Sequence, residues 1–95
     1  MLEGFEKETI IAKSAFKHGL TRDEILFALK HCLKYKTITK AGNPNKTVDM
    51  VLGHLKNGKS CELIISQTFD EEYVFVFHAN SPATKGFLKE LEGKQ

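Results

Sequence analysis

The chain is poor in arginine, in cysteine and in long apolar runs, and each shortage excludes something. Arg22 is the single arginine among fourteen basic residues, so planar, bidentate phosphate clamps are not its main resource. Two cysteines, Cys32 and Cys61, stand far apart with no CxxC spacing, which argues against a disulfide framework and predicts free thiols. No apolar run approaches the roughly 18 residues that a membrane helix needs. The opening residues, Met-Leu-Glu-Gly-Phe-Glu-Lys-Glu, place acids where a secretory leader carries basic residues, so a cytoplasmic location is expected. Linkers, repeats and low-complexity tracts are also missing.

What is present suits one domain over residues 1–95. A hydrophobic content of 41% with 27% charged residues lies in the globular range and argues against disorder. The net charge of +2 permits a polyanionic partner without requiring one.

Phe5 to His18 reads as a first helix, with Phe5, Ile10 or Ile11, Ala12, Ala15 and Phe16 near the helical period and Gly19 closing it. Thr21 and Glu24 have capping-box spacing, flanked by Leu20 and Ile25 as a hydrophobic staple, and predict a second helix from Arg22 to Cys32. From Leu33 the period shortens to two. Leu33, Tyr35, Thr37 and Thr39 alternate with Lys34, Lys36, Ile38 and Lys40, as in an edge strand with a lysine-rich face. Ala41 to Lys46 is a loop, and Thr47 to Leu55 a second strand. Asn57-Gly58 predicts a type I′ hairpin turn into a third strand, Ser60 to Phe69. Asp70-Glu71-Glu72 is the next reversal.

Tyr73 to Ala79 is the most apolar alternating segment and is expected to be the central strand. Strict alternation puts Tyr73, Phe75 and Phe77 on one face and Val74, Val76 and His78 on the other. Ser81 and Pro82 suit the start of a last helix carrying Phe87, Leu88 and Leu91, with residues 93–95 fraying. The expected architecture is α+β: two N-terminal helices, a four-stranded antiparallel meander sheet and a C-terminal helix.

None of the four histidines and two cysteines has paired metal-ligand spacing. His31 and Cys32, being adjacent, point about 100° apart on a helix. No metal and no cofactor is expected, and no local motif builds a Ser/His/Asp or Cys/His nucleophile. A lysine and histidine set carries more chemistry. Lys13 and Lys17, four residues apart, share a helical face beside His18, while His78 ends the strongest strand and Lys85 opens the last helix. A helix hairpin across the sheet would gather them into a basic cleft. Lysines there hold phosphate and a histidine moves a proton, which suffices for RNA, whose 2′-hydroxyl is its own nucleophile.

Lys17-His18-Gly19-Leu20-Thr21-Arg22-Asp23-Glu24-Ile25 resembles the Lys-His-Gly segment of BrnT-type toxins of the RelE/ParE group. Val51-Leu52-Gly53, Gly58 and Glu62-Leu63-Ile64-Ile65 are similar to that family's middle strands. Val76-Phe77-His78-Ala79, with Pro82-Ala83, resembles its terminal signature. Where the family places arginine on the last helix, this chain has Thr84 and Lys85. The resemblance covers residues 13–88. It implies a RelE-like fold, metal-independent endoribonuclease activity that arrests translation, and a cognate antitoxin as partner. The site so expected has His78, Lys85 and His18 as catalytic groups, with Lys13 and Lys17 binding RNA. A non-catalytic RNA- or protein-binding module of the same fold is the alternative.

Overall fold

In the computed structural model, residues 8–39, 46–68 and 73–93 are described. The expected helix start at Phe5, the expected Ala41–Lys46 loop up to Asn45, the expected Asp70–Glu72 reversal and the fraying expected of Lys94 and Gln95 lie outside them, while Lys46 already belongs to a strand.

Strand β1 (Glu8–Ile11) is followed by a 3-10 turn (Lys13–Phe16) and helix α1 (Arg22–Lys30). Four longer strands follow, β2 (Lys34–Thr39), β3 (Lys46–His54), β4 (Ser60–Thr68) and β5 (Tyr73–Asn80), and helix α2 (Lys85–Glu92) ends the chain. The strands form one mixed sheet in the order β1-β5-β4-β3-β2. Neighbours from β2 to β5 are antiparallel, and β1 lies parallel to β5.

This corrects the expected fold in two linked respects. The segment expected as a first helix is a strand and a single 3-10 turn, leaving one N-terminal helix, and the sheet has five strands and is mixed. Thr9, Ile10 and Ile11 are β-branched, which favours a strand over a helix, and β5 pairs with them along its edge. Tertiary pairing therefore overrides a helical periodicity that Ala12, Ala15 and Phe16 had suggested. The expected central strand, Tyr73–Ala79, is interior but second from the edge, and the middle of the sheet is β4.

Helix α1 forms for the local reasons read from its sequence. Glu24 N donates to Thr21 Oγ1 at 3.1 Å and Thr21 N to Glu24 Oε1 at 2.8 Å, closing the capping box. Leu20 packs against the core cluster that contains Ile25. Gly19 takes a φ of 89° ahead of the cap. The helix sets Ile25, Ala28 and Leu29 on Val51, Leu63, Ile65, Val74 and Val76. Gly53 makes this approach possible, because a Cβ there would overlap the Ala28 carbonyl.

The β3–β4 turn is not type I′, since Asn57 does not have positive φ. Gly58 N donates to Leu55 O at 2.9 Å and Leu55 N to Lys59 O at 2.9 Å, with Gly58 at φ 88°. This is the three-residue hairpin in which a type I turn precedes a left-handed glycine. Asn57 Oδ1 accepts from Lys59 N at 2.9 Å, a local bond that suits asparagine to the turn.

Helix α2 covers part of the other face through Phe87 and Leu91, which pack with Met50, Leu52, Ile64 and Ala83. Its N-cap is Thr84, whose Oγ1 accepts from Phe87 N at 3.2 Å, and not Ser81 as expected. Ser81 is drawn away because its hydroxyl donates to Ser60 O at 2.6 Å. Gly93 caps the helix in left-handed conformation, so the order extends through it. Strand β2 is an edge, as its lysines suggested. One of them, Lys36, reaches α2, donating to Glu90 O at 3.1 Å and lying 3.7 Å from the Glu90 carboxylate.

Candidate functional site

The site is created by a break in alternation on β5. Val76 is opposite Ile65, but the next pair is His78 with Ile64, so Phe77 is an extra residue on β5. Ile65 belongs to the cluster under α1 and Ile64 to the cluster under α2. Directly opposed residues share a face, so His78 faces α2, away from Val74 and Val76. The expected facing of His78 is corrected by this bulge. Ala79, opposite Leu63, takes the buried position that His78 would have filled.

On the α2 face His78 meets Glu62 of β4. The His78 Nε2–H donates to Glu62 Oε2 at 2.7 Å. Glu62 is 5% exposed, and its other oxygen accepts from Thr84 N at 2.7 Å and from Thr84 Oγ1 at 2.9 Å. Burial pushes the carboxyl pKa up. The Thr84 amide, His78 and the Thr84 hydroxyl outweigh that and hold it below the ordinary value of 4.5. Glu62 is therefore ionised at neutral pH, accepts from three donors, and fixes the imidazole's orientation and tautomer. With Nε2 carrying the proton, Nδ1 of neutral His78 keeps its lone pair.

The His78 side chain is 30% exposed, and the His18 ring lies 5.6 Å from it, centre to centre, at 75°. His18 arrives through the 3-10 turn, which runs along β5 beyond β1. Ala12 N donates to Val76 O at 2.8 Å and Ser14 Oγ to Phe77 O at 2.7 Å. The bulged residue thus spares a carbonyl that anchors the turn bearing His18.

Of the expected site residues, His18 and His78 are brought together. Lys85 immediately follows Thr84, whose amide and hydroxyl bind Glu62. Lys13 and Lys17 do not share a helical face. One begins the 3-10 turn and the other ends it, and at three residues per turn positions four apart differ by about 120°. Lys13, Lys17 and Lys85 are exposed, and their side-chain amines make no hydrogen bond or ion pair with a described residue. Glu62 and Thr84 were missed. The available signal for Glu62 was a single acid inside the apolar run Cys61-Glu62-Leu63-Ile64-Ile65, since a buried acid needs donors.

Cys61 is fully buried, and burial first, then the Glu62 charge, pushes its pKa up to about 11, so it is not a nucleophile at neutral pH. Both cysteines are free thiols. Among the described residues no three His, Cys, Asp or Glu side chains gather in a metal-binding group. No described helix is long and apolar enough to cross a membrane. A groove of about 500 Å³ lies elsewhere, between α1 and the β3–β4 turn, lined by Phe27, Lys30, Lys56 and neighbours. No family model, curated protein or solved structure matches the chain.

Proposed function

We propose that this chain is a metal-independent endoribonuclease, acting in the cytoplasm as the toxin of a toxin–antitoxin pair. The observation that carries the chemistry is the Glu62–His78 bond of 2.7 Å with the His18 ring 5.6 Å from His78. In this reading Nδ1 of His78 takes the proton of an RNA 2′-hydroxyl. The 2′-oxygen bonds to the adjacent phosphorus, and the 5′-oxygen leaves with a proton supplied by protonated His18. The products are a 2′,3′-cyclic phosphate and a free 5′-hydroxyl. Glu62 balances the charge that His78 acquires, and its buried, triply hydrogen-bonded carboxylate does so without reorganising. Lys13, Lys17 and Lys85 supply mobile positive charge for phosphates. The toxin role and an antitoxin partner rest on the sequence resemblance of residues 13–88.

The test is a short single-stranded RNA incubated with the protein in a chelator. Cleavage to cyclic-phosphate ends is expected, absent when the substrate is 2′-deoxy at the cut. His78→Ala is expected to lower the rate about 100-fold or more. Equal cleavage by His78→Ala would remove the assigned base. Expression in a bacterial host, followed by growth and transcript integrity, tests the toxin role.

A binding module is favoured by a different observation. Phe75 and Phe77 on β5 and Phe16 beside it are 37–39% exposed, a set of rings on which unpaired bases could stack. RNA binding that weakens steeply with salt, without any cleavage, would select this reading.

A further inference from the structure

The two histidines outside this site are also adjacent. His31 is the C-cap of α1 and His54 ends β3, yet their ring centres are 5.3 Å apart, at 60°. Each is held by a backbone carbonyl. His31 Nδ1 lies 2.8 Å from Phe27 O, and His54 Nδ1 lies 2.9 Å from Leu55 O. A carbonyl only accepts, so Nδ1 bears the proton in both rings and Nε2 of each neutral imidazole holds a free lone pair. No described residue hydrogen-bonds either Nε2. Phe27 supports the arrangement, stacking on His31 at 4.0 Å and 16° and meeting His54 edge-on at 5.7 Å.

We propose that His31 and His54 form a two-imidazole site for a divalent transition-metal ion such as Zn²⁺, with solvent completing the coordination. Imidazole with its second nitrogen donated to a carbonyl is the usual state of a histidine ligand. The spacing also fits. An ion about 2.0–2.1 Å from each Nε2 sits about 3.2 Å from each ring centre, and a tetrahedral angle then separates the centres by about 5.2 Å. Lys56, 5.8 Å from the Phe27 ring centre, and Lys30 bring positive charge to the adjoining groove, which Asp23 and Glu24 also line. The site shares no residue with the Glu62–His78 dyad and does not depend on its function. His18 and His78 make a less suitable pair, because the ionised Glu62 already engages Nε2 of His78.

The test is a titration of the full chain with ZnCl₂ under reducing conditions, followed by the ring ¹⁵N signals of all four histidines. Before zinc, His31 and His54 should show the Nδ1–H tautomer. On titration both Nε2 signals should shift together and saturate at one ion per chain. His31→Ala and His54→Ala should each weaken binding at least tenfold, with amide spectra confirming the fold, whereas Cys32→Ser should leave binding unchanged. The proposal is overturned if either ring starts as the Nε2–H tautomer. It is equally overturned if only one of the two rings responds, if the response is at His18 and His78 instead, or if Cys32→Ser abolishes binding.

Discussion

Against α1 the sheet buries Val51, Leu63, Ile65, Val74 and Val76 under Ile25, Ala28 and Leu29. Against α2 it buries Met50 under Phe87 and Leu91, with Glu62, His78 and Thr84 set beside them. The α1 side relies mainly on close apolar packing, so close at Gly53 that a methyl group cannot be added, with one buried acid, Asp49 opposite Ile65, which accepts from Gln67 Nε2 at 2.9 Å. The α2 side carries a buried charge with three hydrogen bonds, two of which position Thr84, the residue just before the helix. Close apolar packing resists a change of volume, while a carboxylate satisfied by three donors resists the loss of a partner. The candidate chemistry lies on the second, where polar groups are already oriented and His78 remains in contact with solvent.

Substitutions should separate the faces. The largest effect is expected for Gly53→Ala, which forces α1 away from β3 and should cost about 3 kcal/mol in urea unfolding. An effect below about 1 kcal/mol would mean that α1 is not seated as described. Glu62→Gln should cost about 1–3 kcal/mol at neutral pH, because it replaces an ionised acceptor with a group that also brings donors to the site. The pH dependence has a definite sign. The folded pKa of Glu62 lies below 4.5, so the contribution of its charge is complete above that value and is lost as pH falls through the lowered folded pKa. Wild type and Glu62→Gln should therefore converge in stability on acidification, and a gap that widens toward pH 3 would contradict the assignment. Lys36→Ala, which removes an exposed link from β2 to α2, should cost less than about 1 kcal/mol, and less still in high salt.

Several elements were legible in the chain because their causes are local. Thr21 and Glu24 form the capping box their spacing announces, and the lysines of β2 do mark a sheet edge. The helix expected at Phe5–His18 failed because its competitor was not local. Thr9, Ile10 and Ile11 pair with Val74, Phe75 and Val76, more than sixty residues later. The site was legible in half. His18 and His78 were named from the sequence and do meet, but by way of a 3-10 turn instead of a helix hairpin. Glu62 and Thr84 escaped because a strand acid and a helix cap have many ordinary uses.

Composition, capping and period-two alternation determined by themselves that this chain makes a capped helix, lysine-edged strands and a mixed α and β domain. Tertiary structure alone decided which side of the sheet receives His78. One extra residue on β5 reverses every later side chain, and whether a strand bulges depends on its partner's register, which no short stretch of sequence contains. The same holds for His31 and His54, which have no ligand spacing along the chain. They become neighbours because α1 ends beside the end of β3.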